Sequence, residues 1–364
     1  MSSDERRRRS RLTELAAAAQ VDAVLVTRLV NVRYLTGFSG SSGALLLLGG
    51  GDDPVAVLAT DGRYRDQAAE QCGDVRVLIS RTGPADLLAH ASTAGADRVG
   101  YEPEAVSVAD FRHLSEGFPG ALVELDPLVE RLRAVKDPSE IALLRRACQV
   151  SDAALAELLP RIRTGMTERQ VAADLEAGMR RLGADGAAFE SIVAGGPHSA
   201  IPHHEPTDRP LARGDLLKID FGARVQGYHA DETRTFVVGA DPEGWQSDLH
   251  AAVLAAQQAG VAALRPGASA RAVDAAARSV VADRGWGDHF THGLGHGVGL
   301  EIHEAPFLGA TSPDRLSAAV PVTVEPGVYL PGRGGVRIED TLVVGTDTAE
   351  SLTTTPRELL VLDR

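Results

Sequence analysis

The sequence is poor in cysteine, in basic residues and in long apolar runs, and each shortage excludes a class of protein. Cys72 and Cys148 are its only two cysteines. Without partners at metal-ligand spacing, they indicate buried free thiols in a reducing compartment. The formal net charge of -13 argues against nucleic acid as a partner. No apolar run approaches the roughly 18 residues needed to span a bilayer, and residues 1–11 lack the apolar stretch of a signal peptide. These shortages predict a cytoplasmic protein without a membrane partner.

One basic cluster departs from this acidic composition, the run Arg6 to Arg9 followed by Arg11. It could be an arm that binds a membrane or nucleic acid, or the solvated start of a helix. The helix-favouring stretch LTELAAAAQ follows at once, which favours the solvated helix start.

The length of 364 residues exceeds the size at which one hydrophobic core stops growing, so two domains are expected. From Arg11 to about Asp126, the strand-like runs VDAVLVT, ALLLL, VAVLAT, VRVLIS and RVGYE alternate with helical stretches, of which GRYRDQAAEQCG and GPADLLAHASTAG are the clearest. This alternation predicts an α/β domain with a mixed or parallel sheet. Asp137, Pro138 and Glu140 then form a capping signature before a long helix. The predicted domains are residues 1–132 and 133–364.

Helix signals also organise the second domain. Thr167 and Gln170 form a second capping box, Gly183 is placed to end that helix, and Ser269 caps a further one. Strand pairs alternate with these helices. The pattern predicts an α+β domain with an antiparallel sheet under helices.

Residues 216–238, LLKIDFGARVQGYHADETRTFVV, are predicted to form two strands joined by a turn that ends in Gly227. With the turn centred between Val225 and Gln226, Asp220 faces Asp231, and their Cβ atoms lie roughly 4.5–5.5 Å apart. Two carboxylates at this separation repel unless one is protonated or a cation lies between them. The hairpin therefore predicts a divalent cation with oxygen and nitrogen ligands.

A stretch rich in histidine and glycine, THGLGHGVGLEIHEAP, follows at residues 291–306. It contains His292, His296 and His303, and the glycines between them allow backbone and imidazole to approach a site closely. A neutral imidazole is a good ligand for manganese, cobalt, zinc or iron. One histidine could be incidental in a glycine-rich loop, whereas three favour a functional role.

Two glutamates near the C-terminus add further carboxylates. The segment PVTVEPG ends a strand at Glu325, and GVRIEDTLVV places Glu339 inside the next strand. Side chains alternate along a strand, so Arg337 and Glu339 share a face and Arg337 can reach the same site. A lone glutamate usually lies at the surface. Glu325, however, stands among apolar and turn residues, which favours burial against a cation.

Four carboxylates and one imidazole make up the predicted ligand set: Asp220, Asp231, His296, Glu325 and Glu339. This negative charge is too great for one divalent ion and suits two, bridged by carboxylates and a water. Two ions roughly 3.5–4 Å apart would lower the pKa of that water and bind a carbonyl oxygen, as in aminopeptidases and phosphatases. The predicted chemistry is hydrolysis.

The motif order DFG…GYHADETRT…HGLGHGVGLEIHE…VEPG…GVRIED resembles the pita-bread metallopeptidase family (M24), and within it the proline-specific prolidases (Xaa-Pro dipeptidases) and Xaa-Pro aminopeptidases. The similarity extends to GPHSAIPHHEPTDRPLARGDLLKIDFG and, in the first domain, to NVRYLTGFSGSSGALLLL and TDGRYRDQA. It implies a creatinase-like α/β N-terminal domain and an α+β pita-bread catalytic domain. It also implies metal-dependent hydrolysis of the bond between an N-terminal residue and proline, in proline-containing peptides.

The resemblance further implies how the ligands divide. Asp231 and Glu339 would bridge two ions, most often manganese, with cobalt, zinc or iron as alternatives. Asp220 would bind one ion, and His296 with Glu325 would bind the other. Glu325 would also shuttle the proton of the nucleophilic water.

Other roles are implied in the same way. His203 and His303 would hold the substrate and its developing oxyanion, His292 would line the pocket, and Arg337 would support the ligands. His204 follows His203, and strand alternation would turn it away from the site. Family members often form homodimers in which the N-terminal domain reaches toward the partner's site.

Three alternatives share the fold. A creatinase-like hydrolase would cleave another C–N bond with histidines, and a non-catalytic pita-bread protein would only bind a partner. The presence of all five ligand residues disfavours both. A methionine aminopeptidase fits less well, because of the large first domain and the PHH segment.

Overall fold

Two units share the chain, Met1–Arg133 and Ala134–Arg364, and a computed structural model describes residues 3–49 and 54–364 of them. The first is α/β and the second α+β, which confirms the predicted fold class. Over the described residues, no helix is sufficiently long and apolar to cross a membrane.

The first unit is built on a six-stranded sheet. Its strands are β1 (Ala23–Val26), β2 (Ala44–Leu48), β3 (Val55–Thr60), β4 (Arg76–Ile79), β5 (Arg98–Tyr101) and β6 (Ala121–Glu124). They lie in the order β4-β3-β2-β1-β5-β6. Strand β1 pairs antiparallel with β2 and parallel with β5, so the sheet is mixed, one of the two predicted possibilities.

In the part of this unit that the structure describes, six α-helices accompany these strands; the first precedes β1, the last follows β6, and the other four lie between strands. They are α1 (Ser3–Ala16), α2 (Leu29–Thr36), α3 (Arg65–Gln71), α4 (Gly83–Thr93), α5 (Val108–Gly117) and α6 (Leu128–Ala134). The sequence predicted α3 and α4 but missed α2, α5 and strand β6. The basic cluster does start a helix, but it is not wholly solvated. Arg9 is buried, and its guanidinium donates hydrogen bonds to the Leu35 carbonyl and to Asp74.

The second unit, which the structure describes throughout, has four long helices: α7 (Pro138–Leu158), α8 (Glu168–Arg181), α9 (Gly244–Ala263) and α10 (Ala270–Asp283). Three of them, α7, α8 and α10, match the predicted capping signals. Complete capping boxes are present at Asp137 and Thr167, and the Ser269 side chain caps α10. Gly183 follows α8 with a φ of 100°, a conformation that favours glycine at a helix end.

The strands of the second unit form two main sheets and two smaller ones. They are β7 (Gly186–Ala187), β8 (Ile192–Gly195), β9 (Leu216–Phe221), β10 (Ala223–Val225), β11 (Tyr228–His229), β12 (Glu232–Val238), β13 (Gly295–Gly297), β14 (Glu304–Leu308), β15 (Pro321–Val324), β16 (Gly327–Leu330), β17 (Gly334–Arg337), β18 (Asp340–Val344), β19 (Ala349–Ser351) and β20 (Val361–Leu362). The main sheets have the orders β20-β12-β9-β8 and β14-β13-β15-β18-β19. Apart from the parallel edge pair β12–β20, their pairings are antiparallel, as predicted.

Each main sheet has its own helix pair and its own core. Apolar side chains of α7 and α8 pack with those of β8, β9 and β12. Those of α9 and α10 pack with β15 and β18. The sequence predicted one antiparallel sheet under helices. The structure instead has two main sheets, each packed against its own pair of helices, and predicted ligand residues come from both sheets.

The register of the hairpin at residues 216–238 differs from the predicted one. The turn residues are Gln226 and Gly227, with φ values of 47° and 81°, as a two-residue turn of type I′ requires. Asp220 consequently lies opposite Thr233, not Asp231. The prediction was wrong because it placed Gly227 after the turn centre, when Gly227 is the second central residue. The shift of two positions preserves the face on which each side chain lies.

Gly222 marks the place where this hairpin is interrupted. A Cβ atom at Gly222 would lie only 1.7 Å from the Ala230 carbonyl oxygen. The two segments therefore approach too closely for a side chain. The interruption separates β9 from β10 and leaves Asp231 immediately before β12.

The strand predicted to contain Glu339 is also interrupted. β17 ends at Arg337 and β18 begins at Asp340, and these strands belong to different sheets. Glu339 lies between them and forms an isolated bridge with Thr233. The prediction placed Arg337 and Glu339 together because side chains alternate along a continuous strand. That reason was wrong, since the strand is interrupted, but both side chains do reach the same cavity.

Both cysteines are buried free thiols, as predicted. Burial raises the pKa of Cys72 to about 11 and that of Cys148 well above its usual value. Since the thiolate is the reactive form, neither side chain is suited to nucleophilic chemistry.

The cap of α7 allows a stability test. The Asp137 carboxylate accepts hydrogen bonds from the backbone N–H groups of Ser139 and Glu140. Asp137→Ala should lower the free energy of unfolding by about 1 kcal/mol, measured by urea denaturation in a fixed metal state. Asp137→Asn, which keeps an acceptor, should lose much less. An equal loss in both variants would contradict the capping role.

Candidate metal centre

A cavity of about 540 Å³ in the second unit collects the predicted site residues. Its volume falls within the usual range of ligand pockets, roughly 300–1,000 Å³. The predicted ligand residues on its wall are Asp220, Asp231, His296, Glu325 and Glu339, and the other predicted residues there are His203, His292, His303 and Arg337. The structure therefore brings all nine side chains to one place.

Both main sheets position the ligand residues. Asp220 lies on β9 and Asp231 directly precedes β12, in the first sheet. His296 lies on β13 and Glu325 directly follows β15, in the second sheet. Glu339 comes from the interruption between β17 and β18. The centre therefore forms only when the two sheets are assembled.

Gly295 lets β13 approach β15 closely. A Cβ atom at this position would lie 2.1 Å from the Thr323 carbonyl oxygen. The backbone N–H of His296 donates to the Thr323 hydroxyl at 3.1 Å. As a result, His296 Nε2 lies 3.4 Å from Glu325 Oε1 and 3.5 Å from Asp231 Oδ2.

The tautomer of His296 suits a metal ligand. Its Nδ1 lies 3.0 Å from the carbonyl oxygen of Gly297, which can only accept, so Nδ1 carries the proton in the neutral ring. Nε2 then presents a lone pair toward the carboxylates. Burial, with a contribution from His303, lowers the pKa of His296 to about 4. The ring is therefore neutral at pH 7 and can donate its lone pair to a cation.

The carboxylates of the cavity are close together and poorly solvated. Ligand atoms of Asp231, His296 and Glu339 lie within 4.8 Å of one another, and all three residues are buried. Burial, and then repulsion by neighbouring carboxylates, raises the pKa of Asp231 and Glu339 well above the usual values. Burial also raises the pKa of Glu325 to about 8. Each shift shows how unfavourable these anions are without a compensating positive charge.

The Asp220 carboxylate shows directly that this cavity needs a further hydrogen-bond donor or a cation. Its Oδ1 is buried and has no hydrogen-bond partner among the described residues. A carboxylate oxygen can only accept, and burying one without a donor or cation is costly. Together with the clustered carboxylates and the Nε2 lone pair of His296, this oxygen fits divalent ions that take oxygen and nitrogen ligands.

Arg337 is the fixed cation beside this cluster. It is buried, and its Nη2 donates to Asp220. Nε donates to the Thr233 hydroxyl at 3.1 Å, and Nη1 donates to the Tyr329 hydroxyl at 2.7 Å and to the Pro202 carbonyl at 3.2 Å. The guanidinium thereby holds Asp220 in position.

Hydrogen bonds extend from this guanidinium to His292. The Tyr329 hydroxyl accepts from Arg337 and lies 2.9 Å from His292 Nε2. Nδ1 of His292 lies 2.7 Å from the Gly293 carbonyl, so Nδ1 is the donor and Nε2 accepts from Tyr329. Burial lowers the pKa of His292 to about 4. His292 lines the cavity as predicted from the family, but protein groups occupy both of its ring nitrogens.

His203 and His204 lie in a turn, not in a strand. His203 is exposed on the cavity wall. The Nε2 atom of His204 lies 2.9 Å from the Glu168 carboxylate. The prediction that His204 turns away from the site was therefore wrong: His204 also lines the cavity, and its hydrogen bond to Glu168 fixes its orientation.

Glu168 is fully buried at the start of α8 and connects both ends of the segment that carries His203. It accepts hydrogen bonds from the Gly195 N–H at 2.8 Å and from the N–H and hydroxyl of Thr207 at 3.0 and 2.7 Å. His198 Nδ1 and His204 Nε2 also lie 2.9 Å from its oxygens.

These bonds explain the charge of Glu168. Burial alone would raise its pKa, but hydrogen bonds from Gly195, His204 and Thr207 outweigh burial and lower the pKa to about 2. Glu168, His198 and His204 also have the spacing of a metal site. The carboxylate already accepts from five donors, however, so hydrogen bonding accounts for this cluster without an ion.

The sequence did not single out Thr233, Tyr329 or Glu168. Thr233 could have been found from the turn, since placing Gly227 second in the turn puts Thr233 opposite Asp220. Glu168 looks like an ordinary acidic residue at a helix N-terminus, which conceals its other contacts. Tyr329 gives no local signal, because its partners are distant in sequence.

The lowered pKa of Glu168 leads to a pH-dependent prediction. A folded-state pKa of about 2, below the ordinary 4.5, means that the anion stabilises the fold fully above pH 4.5 and loses this effect as the pH falls toward 2. Glu168→Gln should therefore reduce the free energy of unfolding at pH 7, and less so at pH 3. Urea denaturation of metal-free protein measures both, with Glu176→Gln on the same helix as control. An equal loss in the free energy of unfolding at pH 7 and pH 3 would contradict this account.

Comparison with known proteins identifies the family. Residues 142–346 match the model of metallopeptidase family M24, and residues 8–135 match the creatinase/prolidase N-terminal domain. The Xaa-Pro dipeptidase of Pyrococcus furiosus is 35% identical over 97% of this chain and 99% of its own length.

Two solved structures resemble the whole chain. The Xaa-Pro dipeptidase from Bacillus anthracis has a TM-score of 0.93 and 35% identity, over 98% of this chain and 100% of that one. The X-Pro aminopeptidase from Thermotoga maritima has a TM-score of 0.89 and 35% identity, over 97% of this chain and 99% of that one. With a match to the peptidase model over more than half its length, and a cavity whose predicted ligand residues suit divalent ions, the chain belongs to metallopeptidase family M24.

Proposed function

We propose that this metallopeptidase hydrolyses the peptide bond between an N-terminal residue and proline, at a centre that binds two divalent ions. The observation that carries the proposal is the buried cluster of Asp220, Asp231, His296, Glu325 and Glu339, in which one carboxylate oxygen is left without a donor. The names of the similar proteins, Xaa-Pro dipeptidase and X-Pro aminopeptidase, support the choice of substrate.

Charge supports two ions. The four carboxylates and the guanidinium of Arg337 carry a net charge of -3, so a single divalent cation would leave one buried negative charge uncompensated. In the proposed division, Asp231 and Glu339 would hold both ions, Asp220 would hold one, and His296 with Glu325 would hold the other. The short distances from His296 Nε2 to Glu325 and Asp231 agree with this division.

Manganese is the proposed metal, with cobalt, zinc and iron as alternatives. Four of the five ligand residues offer carboxylate oxygens, which suit manganese, and one offers an imidazole nitrogen, which suits zinc or iron as well. Such ions supply Lewis acidity and lower the pKa of a bound water.

The chain itself supplies the proton transfers and the hydrogen bonds. Glu325 takes a proton from the attacking water and passes it to the proline nitrogen as the C–N bond breaks, so that a carboxylate and a secondary amine result. The hydroxyl of Thr323 lies 3.4 Å from the Glu325 carboxylate and helps to orient it. His203 and His303 are exposed on the cavity wall, where their imidazoles can donate to the substrate carbonyl.

Proline at the cleaved bond has a physical rationale. An Xaa-Pro bond has no N–H, so a groove that holds peptides by strand-like hydrogen bonds cannot recognise it. A cavity can recognise an Xaa-Pro bond if it offers hydrogen-bond donors to the carbonyl and apolar walls to the pyrrolidine ring. The walls contain such apolar side chains: Phe189, Ile192, Ile302, Phe307 and Leu308. A homodimer and a cytoplasmic location remain predictions from the family and from composition.

Removing a bridging ligand tests the centre. Asp231→Asn keeps the side-chain size but weakens the ligand, so the rate of Xaa-Pro cleavage should fall by more than the roughly 10- to 100-fold loss typical of a supporting residue. Kinetics with Ala-Pro-Ala, metal analysis and circular dichroism measure rate, ion content and fold. Asp208→Asn, at an exposed ion pair, is the control. Full activity of Asp231→Asn with two ions bound would refute the assignment.

His303 tests the distinction between ligands and substrate-holding groups. Since His303 is proposed to donate to the developing oxyanion, His303→Ala should lower kcat by roughly 10²- to 10³-fold while both ions are retained. The matched control is His113→Ala, at an exposed position of the first unit. Loss of an ion from His303→Ala would instead make His303 a ligand.

A further inference from the structure

The cavity has little permanent positive charge to offer a substrate. Of the described residues on its wall, Arg337 alone is a lysine or arginine. Four of the five N–H donors of an arginine are already engaged in Arg337, by Asp220, Thr233, Tyr329 and Pro202. Its side chain is also buried. Arg337 therefore supports the ligand residues and is not placed to receive a second carboxylate.

Acidic residues on the cavity wall increase this shortage of positive charge. Beyond the four carboxylates that would bind the ions, the wall carries Glu190 and Glu205, and both are exposed. These side chains can attract the ammonium group of a peptide, but they repel a carboxylate. The histidines of the wall can donate hydrogen bonds, yet they do not bring a permanent charge.

The free carboxylate of an Xaa-Pro dipeptide would stand only a few bonds from the cleaved peptide bond. It would have to enter the cavity, lose water and face Glu190 and Glu205 without a free lysine or arginine side chain. Binding an anion without a paired charge is costly. In a longer peptide, a neutral amide takes this place and the carboxylate lies farther along the chain.

We propose, on the basis of the proposed function, that the site cleaves peptides that continue beyond the proline in preference to free Xaa-Pro dipeptides. The recognised group after proline is a neutral amide. Phe307 lies on this wall as a half-exposed side chain and is not a predicted metal ligand, so a charge can be added to the wall at this position.

Three substrates test the preference with manganese-loaded full-length protein: Ala-Pro, Ala-Pro-amide and Ala-Pro-Ala. The amide differs from the dipeptide only in the charge of the terminal group. Release of alanine should give a kcat/KM for Ala-Pro-amide and Ala-Pro-Ala that is roughly 10- to 100-fold higher than for Ala-Pro, the effect of one unpaired charge. Most of the difference should appear in KM.

A charge added to the wall provides a second test. Phe307→Arg should raise kcat/KM for Ala-Pro and leave the amide without a comparable gain. Phe307→Gln, which removes the ring without adding charge, is the matched control and should not raise it. An equal gain in both variants, or no gain in Phe307→Arg, would show that a missing cation at this wall is not the reason for the preference.

The outcomes separate this inference from the proposed function. Cleavage of Ala-Pro as fast as Ala-Pro-amide would overturn the inference and leave the proposed function intact. No cleavage of any of the three substrates with manganese, cobalt, zinc or iron would overturn both.

Discussion

Repulsion among four carboxylates in one poorly solvated cavity is the constraint on which the rest of this site depends. Asp220, Asp231, Glu325 and Glu339 converge there, and burial raises the pKa of the last three. Like charges this close cannot all ionise unless positive charge is supplied. The chain supplies one guanidinium, from Arg337. The remaining charge calls for divalent ions, and the other features of the site follow from holding such ions in place.

The fold meets this constraint by joining two sheets at narrow contacts. Glycine at positions 222 and 295 removes the side chains that would keep the strands apart. His296 reaches the carboxylates with its lone pair already oriented, because the Gly297 carbonyl holds the proton on the other nitrogen. Arg337 and Glu168 then hold residues of the cavity wall in place. Arg337 holds a ligand residue, and Glu168 holds the segment that presents His203. Both lie in well-packed surroundings, as pre-organised sites require.

Much of this could be predicted from the sequence, where the signal was local. Capping boxes at Asp137 and Thr167 placed helices correctly, and motif order indicated residues that the fold brings to one cavity. Features that depend on backbone detail could not be predicted in this way. A turn shifted by one residue placed Thr233, not Asp231, opposite Asp220. The interruption at Glu339 was invisible, because GVRIED alternates like a continuous strand. The partners of Glu168 and Tyr329 come from distant segments, and a local pattern carries no information about them.

The measurement that most directly tests the paired-ion centre is a manganese titration of metal-free protein, followed by electron paramagnetic resonance. The account predicts two ions per chain with a spin-coupled spectrum, because carboxylate-bridged ions lie roughly 3.5–4 Å apart. A single ion per chain would contradict it. Two uncoupled ions would also contradict it, and would direct attention to a second location such as Glu168, His198 and His204.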